Sequence, residues 1–298
     1  MYEKFYQLKC PPFSLLPDPA FLFPSRQHAM ALTLLRYSLV SKHPFTAILG
    51  EVGSGKTTLI NKLLEEIKDR HTVGIINFTD RRVTQLWPWI LRAFDLPFED
   101  RSPLRMCDDF VTFLSAARDR GRAAVLIVDE AQNLPPKALE NLRILSNVNA
   151  TDTRIQTILV GQPEFRDTLK RADLRQLNQR IAVFYRLDPL SEEETRKYIA
   201  HRLEVAGGNP EIVSSDAIEL IWAESEGIAR RINTLCDLAL VYGFANDKLI
   251  IDDCVVREML IDRRDLAVPT EPTRPKNNGF GHPAELRVQY DLRRSRHP

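Results

Sequence analysis

Residues 50–57, Gly50-Glu51-Val52-Gly53-Ser54-Gly55-Lys56-Thr57, spell G-x-x-x-x-G-K-[ST] in full. Nothing else in the chain restricts the fold as much. The pattern works where a strand runs into a tight glycine turn that opens a helix. That context is present: FTAIL (45–49) is an apolar strand, and helical periodicity predicts a helix over about 56–69. The backbone N–H groups of such a loop converge on phosphate oxygens, helped by the positive end of the helix. Lys56 is expected to reach the β- and γ-phosphates, and Thr57 to place its hydroxyl on Mg²⁺. The candidate ATP-binding residues are therefore Gly50, Glu51, Val52, Gly53, Ser54, Gly55, Lys56, Thr57 and the adjoining Thr58. A plain glycine turn is the bland alternative, and the complete motif in this setting argues against it.

The rest of the chain alternates in the way this motif requires. Strands are predicted at 72–78 (TVGIINF), 123–128 (AAVLIV), 154–160 (RIQTILV) and 181–187 (IAVFYRL). Helical stretches fall at about 86–94, 108–120 and 137–148. Strands separated by helices predict an α/β fold, a five-stranded parallel sheet with helices on both faces. AAVLIV is apolar throughout, as a strand covered on both faces must be. After Asp188-Pro189 the character changes. Ser191 and Glu194 form a capping box for SEEETRKYIAHRL, and helices follow near 215–223, 229–245 and 250–263. The expected organisation is a Pro/Phe-rich segment and helix packing on the core (1–43), an α/β nucleotide domain (44–188), a helical lid (189–266) and a polar, basic tail (267–298). PPFSLLPDPAFLFP carries five of the 19 prolines among Phe13, Phe21 and Phe23. It should be an extended segment packed on a domain, because proline forbids a regular helix and the rings need burial.

Further polar residues stand at the ends of the predicted strands. VLIVDE places Asp129 and Glu130 at the edge of the third strand. Asp129 suits the Mg²⁺ shell, and Glu130 suits orienting and polarising a water for hydrolysis. Gln162, in VGQP at the end of the fourth strand, is the candidate sensor of the γ-phosphate; an ordinary strand-ending turn is the alternative. Arg180, just before the fifth strand, is the candidate arginine finger reaching a neighbouring subunit, with Arg175 in competition. Arg230, with Arg231 adjacent, opens a lid helix and is placed to swing over the γ-phosphate. Trp87 and Trp89 are read as packing residues. None of the 6 histidines is assigned to metal or catalysis.

Composition removes other classes. A net charge of +1, from 41 Lys+Arg and 40 Asp+Glu, is no polycation for coating nucleic acid. No stretch reaches the roughly 20 apolar residues of a membrane span, and the N-terminus lacks the apolar core of a signal peptide. The 4 cysteines are scattered, against a zinc site or a disulfide framework, which fits a reducing cytoplasm.

The order GEVGSGKT, LIVDEAQNL, LVGQPE, LRQLNQRI, GIARRINTLCDLAL resembles the AAA+ ATPases of the general secretion pathway protein A (ExeA-type) group, over about residues 1–265. FYQLKCPPFSLLPDPAFLF resembles that group's N-terminal signature. MALTLLRYSL and GEVGSGKTTLI are most similar to secretion ATPases found beside exosortase and exopolysaccharide genes. The resemblance implies an AAA+ core with a helical lid, ATP and Mg²⁺ as ligands, and hydrolysis that depends on a homo-oligomer, a ring or filament. It also implies that Phe23 and the helix after it border the adenine. Envelope members of the group continue into a membrane helix and a peptidoglycan-binding domain. A chain ending in a polar tail is expected to stay cytoplasmic and reach the inner membrane through a secretion-locus protein partner. The same branch includes DNA-associated regulators of the transposition or origin-recognition type. DNA is thus the alternative partner, with Arg81-Arg82, Arg230-Arg231, Arg263-Arg264 and Arg293-Arg294 as candidate phosphate contacts. Acids beside these pairs favour solvated surface instead, and no base-reading motif is evident.

Overall fold

A computed structural model describes residues 1–16, 18–77, 85–146 and 155–266 of the chain. Arg81-Arg82, Arg293-Arg294, the tail 267–298 and the expected element ends at 78, 148 and 154 lie outside those residues. Helix α1 (Arg26–Val40) precedes β1 (Phe45–Gly50), α2 (Lys56–Ile67) and β2 (His71–Asn77). Next come α3 (Trp87–Ala93), α4 (Pro103–Asp119), β3 (Ala123–Asp129), α5 (Pro136–Leu145) and β4 (Ile155–Gly161). Short helices α6 (Phe165–Leu169) and α7 (Arg175–Asn178) lead to β5 (Ile181–Leu187). Four helices follow: α8 (Glu192–Val205), α9 (Ser215–Ser225), α10 (Ala229–Ala245) and α11 (Asp253–Leu266). Helix α4 starts earlier than periodicity predicts, because Ser102 caps it by accepting from the Arg105 amide and Pro103 suits its first turn.

The strands form one parallel sheet in the order β2-β3-β4-β1-β5. Side chains alternate across a strand, so β3 serves two cores at once. Ala124, Leu126 and Val128 face α3, α4 and α5, while Val125 and Ile127 face α1 and α2. Each of the Val, Leu and Ile side chains among these contributes roughly 1.5–3 kcal/mol relative to exposure. This double burial explains why β3 has no polar position until Asp129.

A third apolar cluster lies among α8 to α11. The first thirteen residues belong to it: Tyr2, Tyr6, Leu8 and Phe13 are buried there rather than against the sheet. Polar tips pin the first half of this segment. The Tyr2 hydroxyl bonds Asp237 of α10, and the Tyr6 hydroxyl donates to the Lys248 carbonyl at 2.9 Å. The Pro/Phe-rich start of the chain thus packs with the helices near its far end. Residues Pro19–Phe21 then make a short 3-10 turn before α1 returns the chain to the sheet. Among the described residues no helix is long and apolar enough to cross a membrane.

Candidate functional site

Because β4 lies between β1 and β3, three carboxyl ends of the sheet meet at one edge. Leu49 is in register with Gly161, and Val128 with Leu159. The glycine loop, the Asp129-Glu130 pair and Gln162 therefore stand side by side, where open parallel sheets bind ligands.

Gly53 and Gly55 have φ of +83° and +94°, a region that costs any residue with a Cβ. A Cβ on Gly53 would lie 2.4 Å from the Arg230 Cβ, and one on Gly55 would lie 2.9 Å from the His28 ring. Lys56 is 7% exposed, with its ammonium donating to the Gly50 and Glu51 carbonyls at 2.7 and 2.8 Å. Burial pushes its pKa down, while Glu130, Asp129 and Glu51 pull it back up. An anion seated beside it would favour the charged form. The Ser54 hydroxyl is buried without a hydrogen-bond partner in the same loop. Two left-handed glycines, a sequestered cation and an unspent hydroxyl fit a phosphate chain.

The loop is held by His28 of α1, which also borders the cleft. His28 Nε2 lies 3.0 Å from the Ser54 carbonyl, which can only accept, so Nε2 carries the proton. Nδ1 then accepts from the Ser25 hydroxyl at 2.7 Å, and that oxygen accepts the His28 amide as helix cap. Burial holds the imidazole pKa below its ordinary value. Sequence reasoning passed over His28. Its one signal was a lone polar ring within the apolar face of a helix leading to the glycine loop.

Asp129 Oδ1 accepts the Glu130 amide at 2.8 Å, and burial raises its pKa first of all. With the exposed Thr57 hydroxyl it offers the hard oxygen donors that suit Mg²⁺. Glu130 occupies the left-handed region at φ +53°, uncommon for a non-glycine residue and often found at functional sites. Its Oε2 accepts from the side-chain amides of Gln132 and, at 3.2 Å, Gln162. The Gln132 carbonyl oxygen in turn accepts the Gln162 backbone amide at 3.0 Å. No described group occupies Glu130 Oε1, which is left to accept from a water. Gln132, two residues after the acidic pair, was not singled out from sequence, because only the fold brings it beside Gln162.

The lid closes over this edge. The Arg230 backbone N–H donates to the Gly53 carbonyl at 3.0 Å, joining α10 directly to the glycine loop. The Arg230 side chain is exposed toward the cleft without a partner among the described residues, whereas Arg231 pairs with Glu226. The cleft is open to solvent. Val52 to Thr58, Glu130 and Arg230 line one end, with Phe21, Leu22, Phe23 and Tyr198 at the other. Phe23 meets Tyr198 edge-on at 5.8 Å.

Arg180 lies away from its own chain's cleft. Its guanidinium bonds the Ser146 hydroxyl and, at 3.5 Å, the Arg143 carbonyl at the end of α5. Neither partner is charged, so the cation has no carboxylate among the described residues. Arg175 is exposed on α7 and makes no side-chain bond there. Trp87 packs against the cluster of α3 and α4, and Trp89 is half-exposed.

Comparison with known proteins agrees with this geometry. Residues 40–169 match the AAA domain family. General secretion pathway protein A of Aeromonas hydrophila is 38% identical over 247 residues, covering 82% of this chain and 45% of that protein. The chain thus spans about half the length of this relative. Among solved structures, Cdc6p from Pyrobaculum aerophilum superposes with a TM-score of 0.64 at 21% identity, over 83% of this chain and 71% of that one. The Aeropyrum pernix ORC2 protein gives 0.65 at 18%, over 87% and 72%. The distant structures share the fold, residues 40–169 match an AAA domain, and over most of its length the chain is similar to general secretion pathway protein A.

Proposed function

We propose that this chain is an ATPase that hydrolyses Mg²⁺-ATP at the edge formed by β1, β3 and β4, and that a neighbouring subunit completes the site. The observation that carries the reading is the Glu130 carboxylate, held through one oxygen by the Gln132 and Gln162 amides, with no partner on the other oxygen among the described residues. Lys56 and the loop amides bind and orient the β- and γ-phosphates. Thr57 and Asp129 are the oxygen donors that would hold the ion. Bound Mg²⁺ would supply charge neutralisation on the phosphates. Glu130 orients a water through its other oxygen. Gln162, bonded to Glu130, links that carboxylate to the γ-phosphate position. Arg230 reaches the same position from α10, whose first turn is bonded to Gly53. Loss of the γ-phosphate would then alter the seat of the lid, converting hydrolysis into movement.

Arg180 is the finger in this reading. A guanidinium satisfied only by a carbonyl and a hydroxyl keeps its charge available for a neighbour's phosphates, and a finger supplied in trans is worth roughly 10³–10⁵ in turnover. The 38% identity to general secretion pathway protein A supports work in a secretion system; export of exopolysaccharide, with the moving lid acting on a protein partner at the inner membrane, is the finer form of the same proposal. DNA as partner is less well supported, since Arg231 and Arg264 are already paired with Glu226 and Glu224.

The test is ATP turnover against protein concentration, with and without duplex DNA. Turnover per subunit should rise with concentration, vanish in Lys56→Ala and ignore DNA. Concentration-independent turnover would remove the trans contribution. Full turnover in Lys56→Ala would remove the glycine loop. Stimulation by DNA would move the reading to a DNA-associated regulator.

A further inference from the structure

The far end of the cleft holds a buried polar chain that phosphate chemistry does not use. Arg202 of α8 is 6% exposed and faces no carboxylate among the described residues. Its guanidinium donates to the Pro12 carbonyl at 2.5 Å and the Ser14 carbonyl at 3.2 Å, and lies 4.8 Å from the Phe21 ring centre. Its Nη1 donates to the Tyr198 hydroxyl at 3.1 Å, and that hydroxyl bonds Asn233 Oδ1 at 2.7 Å. Tyr198 and Asn233 are each 6% exposed.

The direction of the chain is fixed by chemistry. Arginine can only donate, so the Tyr198 oxygen accepts from Arg202 and spends its own hydrogen on Asn233. Asn233 must therefore present its carbonyl oxygen to Tyr198 and turn its NH2 the other way. That NH2 has no hydrogen-bond partner among the described residues, and Asn233 lines the cleft. That donor opens onto the cleft, so a ligand that supplies an acceptor there meets it in place of water. Asn233 follows Arg230 by three residues and shares its face of α10. One helix thus turns a cation toward the phosphate end and, one turn on, a carboxamide donor toward the end walled by Phe21, Leu22 and Phe23. Aromatic and apolar walls suit a flat base better than a hydrated ribose.

We propose that Asn233 reads the nucleobase, donating its carboxamide N–H to a ring nitrogen of the bound purine, with Tyr198 and Arg202 fixing the orientation of the amide. This rests on the nucleotide reading above. It makes Asn233 a ligand contact and the other two positioning residues.

The experiment is a binding cycle between protein and ligand. Wild type and Asn233→Ala are titrated with ATP, inorganic tripolyphosphate, 1-deaza-, 3-deaza- and 7-deaza-ATP, and 2′-deoxy-ATP. Asn233→Ala should bind ATP about three- to tenfold more weakly, the worth of one hydrogen bond, and bind tripolyphosphate as wild type does. One of the three deaza analogues should show the same loss against wild type and no further loss against Asn233→Ala. Additive penalties for all three, or coupling to 2′-deoxy-ATP alone, would overturn the proposal. Should Asn233→Ala also lose tripolyphosphate, Asn233→Asp, which keeps the acceptor for Tyr198, takes its place in the same cycle. Wild type binding neither ATP nor tripolyphosphate would instead sink the nucleotide reading itself.

Discussion

At the scale of single residues, the candidate site holds charges in a place that disfavours them. Lys56 and Asp129 are both driven toward neutrality by burial, and each is partly restored by the other. A bound polyanion with its divalent ion would reinforce both charges, so binding energy is stored in the protein beforehand. Glu130 depends on orientation in the same way. A left-handed backbone aims it, and two side-chain amides hold one of its oxygens. Replacing Gln132 by Ala should lower kcat roughly ten- to hundredfold, the worth of a hydrogen bond to a charged group. ATP affinity should stay within about twofold. Steady-state turnover and an equilibrium titration check the two halves, and unchanged kcat would show that Gln162 alone suffices.

At the scale of elements, α1 and α10 both grip the glycine loop. Helix α1 does so through the His28 ring on the Ser54 carbonyl, and α10 through its first-turn amide on the Gly53 carbonyl. The clamp of α1 is written for a neutral ring. The folded pKa of His28 lies below its unfolded value, because burial disfavours the cation. Its stabilising contribution is therefore complete above the unfolded value of about 6.5 and is lost as pH falls below it toward the folded pKa. Denaturant melts between about pH 5 and 8 should show wild type losing stability on the acid side and His28→Gln giving a flatter profile. Parallel profiles would assign that titration to other groups.

At the scale of the whole molecule, the two ends of the described chain meet in the lid. Phe13, 1% exposed, is a core residue of the helices 190 or so positions later. Truncating it to Ala should destabilise that module by about 3–5 kcal/mol, seen as a lower melting temperature, while residual nucleotide binding follows the folded fraction. Across subunits, Arg180→Ala and Glu130→Gln should each be nearly inactive alone. Mixed, they should recover part of the activity, since an intact Glu130 can then sit beside an intact Arg180. Co-assembly without recovery would place the finger within the chain or at Arg175, which the same mixture with Arg175→Ala would decide.

Much of this was legible in the chain of letters. A glycine loop between an apolar run and a helix admits few backbones, and period-two burial on β3 dictates a strand covered on both faces. Local chemistry of that kind specified the α/β alternation, the glycine-loop end of the sheet and the positions of Lys56, Asp129 and Glu130. What sequence could not state were contacts between residues far apart in the chain. His28 against Ser54, Gln132 beside Gln162, Arg202 under Pro12 and Ser14, and Asn233 facing the cleft each depend on which surfaces pack together. No periodicity or motif encodes those distances, because they arise only when separate helices and strand ends share one buried edge.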